Sequence, residues 1–211
     1  PEKNIEFLVQ AVAAFLSIHK SARFLVVGVG PSAEMIRQRF DRCGLTERIH
    51  HAGVLKGEKL ADAYHAMDVF AFASPNETQG MVLTEAMAAG VPVVAVDAPG
   101  VREAVVDGWN GFLLPAMELS DFSDALARMA GSSPGEIRAM GDAARNTAER
   151  SSIQRCAGEA LLLYGSVLAN RKRHVDAHGN PWSYARRMFG QERMLWKNRA
   201  HAAVAAFSTQ G

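Results

Sequence analysis

An α/β fold, a doubly wound parallel sheet with helices on both faces, is what this sequence predicts, and three observations carry it. Short strand candidates are apolar along their whole length rather than alternating, at 23–29 (RFLVVGV), 69–73 (VFAFA) and 92–96 (PVVAV). Strands apolar on both faces belong to parallel sheets that are covered on both sides. These runs alternate with segments of helical periodicity, the mark of repeated strand–helix units. The repeats are short, which fits a Rossmann-like domain.

The elements follow in order. Ile5, Leu8, Val9, Val12 and Leu16 recur at helical spacing and predict an amphipathic helix over 4–19. The apolar run at 23–29 is a buried strand that closes on Gly28 and Gly30. A helix over 32–43, a strand over 49–52 before Gly53, a helix over 58–66 and the strand at 69–73 come next. A helix over 80–89, the strand at 92–96, a short helix near 101–106 and a strand over 111–114 complete the alternation. After Pro115 the pattern is helical only, over about 118–130, 134–149 and 152–169. A polar break, RKRHVDAHGNP, then fills 171–181, and a last helix candidate covers 182–204. This gives one domain over 1–170 and a basic helical extension over 171–211.

The 211 residues are 48% hydrophobic and 21% charged, which excludes a disordered chain. No apolar run approaches the ~18 residues of a membrane span. The sequence shows no basic-then-apolar leader, and Cys43 and Cys156 share no metal-ligand spacing, so a cytoplasmic setting with reduced thiols is expected. The chain opens at Pro1 directly before a helical pattern and reads as a piece of something longer. Charge is uneven. Residues 1–170 hold 15 basic against 20 acidic side chains, while 171–211 hold 8 against 2. The acidic body argues against a nucleic-acid partner.

In open α/β sheets ligands bind beyond the carboxyl ends of the strands, so the loops at 28–31, 53–57, 74–80 and 97–100 are where chemistry is expected. The loop at 74–80 is the informative one. A strand delivers Glu77 to the crevice, and Gly80 opens a helix with no side chain in the way. The first amides of that helix, around Gly80 to Leu83, lack helical partners and suit an anion such as phosphate. Glu85 lies about one turn further on, where a carboxylate can accept from hydroxyl groups. A ligand with hydroxyls at both ends and phosphate in the middle fits that layout, as a nucleotide sugar does. By spacing alone, the favoured reading is that Glu77 is a surface loop acid and Glu85 a helical surface acid that complements the dipole. The GVG at 28–30 invites a dinucleotide reading, but the acid such a site needs about 20 residues on is missing: positions 48–51 are Arg48, Ile49, His50 and His51. The two histidines read as strand residues rather than metal ligands.

Glu77 and Glu85, with seven residues between them, Gly80 included, and EAMAAGVPVV following, closely resemble the E-x7-E signature of retaining GT-B glycosyltransferases. Pro1-Glu2-Lys3-Asn4 looks like the end of that family's G-R-x-x-x-E-K-N segment, and Phe24 to Gly30 resembles its L-x-x-x-G-x-G strand. Gly53 to Leu55 is similar to its base-binding turn, and DAPGVREAVVDGWNG at 97–111 to the region after its PVVA strand. The resemblance covers roughly residues 1–130 in colinear order.

What the resemblance implies is a donor site for a nucleoside diphosphate sugar of the UDP or GDP type. Glu77 would bind hydroxyls of the donor sugar, and Thr78, Gln79 and Gly80 would line its pocket. Met81 and Val82 would give backbone amides to the diphosphate, and Glu85 would hold the ribose hydroxyls. Lys3 would neutralise the departing diphosphate. Gly28 and Gly30 would lie beside the donor, and Gly53, Val54 and Leu55 would contact the base. Configuration at the sugar would be retained, with no cofactor and no protein-bound metal. Many members carry Phe where Gln79 stands. The family's Arg before Lys3 and its acceptor-binding N-terminal domain are not in this sequence, so the chain alone is expected to bind donor weakly and not to turn over. A non-catalytic nucleotide-sugar module and a GT-B epimerase are the alternatives. In the tail, Trp182, Ala185, Phe189, Trp196, Ala200 and Ala203 share one helical face flanked by Arg186, Arg193 and Lys197. Packing on the N-terminal domain is favoured over an anionic membrane surface because that face is narrow.

Overall fold

The computed structural model describes residues 3–177, with side chains through residue 169. Its elements run α1 (Ile5–Ile18), β1 (Phe24–Val27), α2 (Ala33–Arg42), β2 (Ile49–Gly53), α3 (Glu58–His65), β3 (Phe70–Phe72) and α4 (Met81–Ala88). Then come β4 (Val93–Val96), α5 (Pro99–Arg102), β5 (Gly111–Leu114), α6 (Leu119–Gly131), α7 (Pro134–Arg150) and α8 (Ile153–Ala177). A 3₁₀ turn at Thr46–Arg48 leads into β2. The chain divides into two units, Pro1–Cys156 and Ala157–Gly211; within the second, the described part is the remainder of α8. The helix expected at 182–204 lies outside the described residues.

Every strand pairing is parallel, and pairing falls into two pieces, β1–β2 and β3–β4–β5. β1 runs beside β2 from Phe24 opposite Ile49 to Val27 opposite Gly53. β4 lies between β3 and β5, with Phe70 opposite Val93 and Val93 opposite Gly111. β4 is buried throughout, as a central strand of VVAV should be. β1 is equally apolar, yet all four of its residues are only half-buried, against the buried strand that its sequence predicts. For Phe24 and Leu25 the reason is a cavity of about 900 Å³ that they line together with Phe70 and Ala71 of β3. Apolar content follows sequence, but coverage depends on what lies beside the strand.

Among the described residues, two large apolar cores and a smaller one around Tyr64 hold the main unit. In the first, α1 turns Leu8, Val9, Val12 and Leu16 against α6, whose Phe122 is fully buried and meets Phe7 edge-on at 5.7 Å. Each such large side chain contributes about 1.5–3 kcal/mol on burial. The second joins Leu83 and Met87 of α4 to Val93, Val101, Val105 and Ala144 of α7. Asn110 is a fully buried polar residue. Its Oδ1 accepts from the Val106 amide at 2.8 Å, and its Nδ2 donates to the Ala104 carbonyl and the Thr147 hydroxyl, both at 2.9 Å. That knots the turn before β5 onto α7, with every polar atom satisfied.

Two boundaries differ from the sequence reading. The short helix expected near 101–106 is α5 at Pro99–Arg102, because proline is well suited to the first helical position, where its missing N–H costs nothing. The polar break expected from 171 does not begin there: α8 continues to Ala177. Arg171, Lys172 and Arg173 are polar but are good helix formers, and the strong breakers, Gly179 and Pro181, come later. No helix among the described residues is long and apolar enough to cross a membrane.

Candidate functional site

The loop after β3 is shaped by one carboxylate. Glu77 Oε1 accepts from the backbone amides of Thr78 and Gln79 at 3.2 Å and of Gly80 at 3.0 Å. These amides, Gly80's foremost, hold the Glu77 carboxyl below the usual carboxylate range, and the positive charge of Lys3 adds to the effect. The structure thus brings Lys3, from the start of the chain, into electrostatic reach of Glu77. The other carboxylate oxygen carries no such contact, which leaves an acceptor for a ligand hydroxyl.

Gly80 then starts α4 in the left-handed region, φ 61° and ψ 26°. A Cβ there would lie 2.9 Å from the Gly100 carbonyl oxygen and 3.3 Å from Leu83 Cδ1. Gly100, in the first turn of α5 just after β4, presses equally closely from the other side. Its amide donates to the Glu77 carbonyl at 2.9 Å, and a Cβ on it would lie 2.7–2.9 Å from backbone atoms of Glu77, Thr78 and Gln79. The carboxyl-end loops of two neighbouring strands are therefore packed backbone to backbone.

The amides at the helix start are fewer than the sequence reading allows. Gly80's is taken by Glu77, and Leu83's by the Gly80 carbonyl at 2.9 Å. Among the described residues, the amides of Met81 and Val82 are left without an acceptor. Met81 is exposed and Val82 half-buried, so the pair opens outward. Glu85 lies three and four positions beyond them on the same face of α4, and helical side chains lean toward the N-terminus. Glu85 is exposed, and its Oε2 accepts from the Tyr64 hydroxyl at 2.9 Å. Neither acid is sealed in a dry interior.

The other predicted residues form a separate pair of loops. The Gly28 amide donates to the Gly53 carbonyl at 2.7 Å, joining the loops after β1 and β2. Both glycines have positive φ, 112° and 68°. Val54 is exposed and Leu55 half-buried. Gly30 has neither a positive φ nor a neighbour that would exclude a side chain, so nothing in the structure requires glycine there. His50 and His51 are exposed on β2. Among the described residues, no three of His, Cys, Asp and Glu are grouped so as to hold a metal ion. Two residues that this geometry singles out were not in the sequence-derived set. Gly100 was within a flagged loop, but its packing is invisible in sequence. Tyr64 falls at i+4 from Leu60, a core spacing that gives no sign of its hydroxyl partner 21 residues on.

Because Glu77 is capped by loop amides, its pH behaviour is predictable. A depressed carboxyl stabilises the loop above the ordinary carboxylate pKa of about 4.3, and that contribution is lost as pH falls through the lower folded value. Side-chain carboxyl NMR should show Glu77 titrating below the ordinary glutamate value of about 4.3, with the Thr78–Gly80 amides moving in step. Titration at or above that ordinary value would contradict the cap.

Parallel strands flanked by helices, with paired loops at their carboxyl ends, make this the fold of the GT-B glycosyltransferases. The chain belongs to the family described as glycosyl transferases group 1, whose model matches residues 1–132. A D-inositol 3-phosphate glycosyltransferase of Actinosynnema mirum is 37% identical over 177 residues, covering 79% of this chain and 42% of the relative. The pneumococcal O-GlcNAc transferase GtfA, solved with UDP and GlcNAc, superposes with a TM-score of 0.67 at 25% identity, over 79% of this chain and 34% of that one. Sucrose-phosphate synthase of Thermosynechococcus elongatus gives 0.68 at 25%, over 80% and 44%. The chain spans about two fifths of the length of the curated relatives it matches.

Proposed function

We propose that this chain is the donor-binding half of a retaining glycosyltransferase that moves a sugar from a nucleoside diphosphate sugar to an acceptor hydroxyl of a glycan or glycolipid. The observation that carries this is the pair of open amides at Met81 and Val82, bracketed by Glu77 and Glu85. In this reading the diphosphate lies on those amides, where the helix dipole favours negative charge. Glu85 accepts from the ribose hydroxyls and Glu77 from the sugar, with Thr78, Gln79 and Gly80 lining the sugar's side. Lys3 offsets charge on the diphosphate as its bond to the anomeric carbon breaks. The loops at Gly28 and at Gly53, Val54 and Leu55 meet the nucleoside. No metal is assigned to the reaction. The UDP bound by the structural relative GtfA supports a nucleotide-sugar donor.

In this reading the acceptor side lies on an N-terminal domain of the whole protein, as the resemblance implies, and closure of two domains supplies orientation and water exclusion. The basic extension over 171–211 is proposed to pack on that domain, with an anionic membrane surface as the competing partner. Exposed free thiols at Cys43 and Cys156 fit a cytoplasmic setting.

Thermal unfolding with a panel of nucleoside diphosphates tests the site. A ligand at 100 times its Kd adds about 2.7 kcal/mol, a rise of several degrees. UDP or GDP is expected to give that rise and Glu85→Ala to remove it, while the chain alone transfers no sugar. Absence of a shift with every nucleotide at millimolar concentration would refute the site, and robust transfer by the isolated chain would refute the two-domain requirement.

A further inference from the structure

Tyr64, at the end of α3, is 7% exposed. Its ring is held among Leu60, Met67, Phe70, Ala86 and Val91, with the Phe70 ring at 6.0 Å and 60°. It is thus a rigid side chain with a single polar atom, and that atom donates to Glu85 Oε2 at 2.9 Å. Glu85 otherwise stands on an exposed helix face, where a glutamate samples several rotamers and loses that freedom on binding. The Tyr64 hydroxyl holds one oxygen and so narrows the orientations open to the carboxylate. Burial, the hydrogen bond to Glu85 and that carboxylate's charge all push the Tyr64 hydroxyl to titrate higher than a free tyrosine, so it remains a donor at any physiological pH.

We infer that Tyr64 is a positioning residue: its hydroxyl pre-orients Glu85 so that Oε1 and the remaining lone pair of Oε2 meet the vicinal 2′- and 3′-hydroxyls of a ribose, giving the site its preference for ribonucleotides. The inference rests on the proposed role of Glu85. A carboxylate already held in place pays less ordering cost when a diol arrives, so the benefit applies to ligands that carry the hydroxyls and not to those that lack them. The selectivity is therefore attributed to α3, an element that does not touch the ligand in this reading.

The experiment is isothermal titration of the full chain with UDP and with 2′,3′-dideoxy-UDP, for wild type, Tyr64→Phe, Glu85→Ala and the double variant. Phe keeps the ring in its apolar seat, and a ligand-free melting curve on each variant checks the fold. Tyr64→Phe is expected to weaken UDP about 5- to 10-fold, the net effect of one ordinary hydrogen bond, and to leave the dideoxy affinity unchanged. The ribose preference then falls toward one. The double variant is expected to bind UDP no more weakly than Glu85→Ala, because residues acting through one contact are not additive. Equal weakening of both nucleotides by Tyr64→Phe would show a merely structural tyrosine and overturn the inference. So would an unchanged UDP affinity in Tyr64→Phe when Glu85→Ala loses it. If Glu85→Ala itself leaves UDP binding intact, or wild type takes up neither nucleotide, the proposed donor site fails and the inference falls with it.

Discussion

Gly111→Ala is expected to be the most damaging single substitution in the β3–β4–β5 piece, lowering Tm by roughly 10 °C or leaving the chain unfolded. Gly111 opens β5 directly opposite Val93, and a Cβ at this position would fall on the Val93 carbonyl oxygen. The obstruction is backbone rather than a side chain that swings aside. Both sides of the contact are buried: Val93 is wholly inside, and the fully buried Asn110 precedes the glycine. Relief requires β5 to move away from β4, which costs ladder hydrogen bonds along Val93–Val96 and disturbs the turn knotted by Asn110. A loss of about 4 kcal/mol lies above the common range of roughly 0.5–3 kcal/mol, and core overpacking that cannot relax is one of the few causes of losses that large. Differential scanning calorimetry measures it directly; a Tm within 3 °C of wild type would show that the strand yields cheaply.

Gly100→Ala should have the second-largest effect, and of a different kind. The added methyl would crowd the backbone of Glu77, Thr78 and Gln79 at 2.7–2.9 Å, and the hydrogen bond from the Gly100 amide to Glu77 would lengthen. Because the loop at 74–80 is at the surface, it can shift outward, so the cost to folding is expected at about 1–3 kcal/mol, the range for overpacking. The cost to the site is larger. Displacing that loop moves the Glu77 carboxylate and the start of α4 together, and a displacement near 1 Å is worth about 100-fold where geometry matters. Nucleotide-dependent stabilisation should disappear at concentrations that saturate wild type, while the circular dichroism spectrum stays native. Retained nucleotide stabilisation in a folded Gly100→Ala would mean that the β4 loop does not hold the site.

The contrast between these two glycines shows how far the sequence reaches. Gly111 was legible as the start of a strand and Gly100 as part of a loop after one, since both follow from apolar runs and their breakers. Neither sequence neighbourhood says that another backbone occupies the space of a missing Cβ. The same holds at the helix start. Gly80 after an apolar strand announces α4, but the assignment of amides was too generous, because Glu77 turns back on its own loop and takes three of them. That fold-back depends on a local hydrogen-bonding choice between solvent and loop amides, which periodicity does not report. Arg171 to Ala177 went the other way: polar composition suggested a break where helix propensity was adequate to continue.

By itself, the sequence determined the alternation of apolar strands and amphipathic helices and the placing of Glu77, Gly80 and Glu85 around one helix start. These depend on neighbours within a turn or a strand, and a linear pattern encodes them. Only the tertiary structure decided that β1 and β3 flank a cavity, that Gly100 braces the loop of Glu77, that Lys3 comes within reach of that acid, and that Tyr64 holds Glu85. Each of these joins residues some 20 or more positions apart, and such contacts are selected by how whole elements pack, not by the residues on either side.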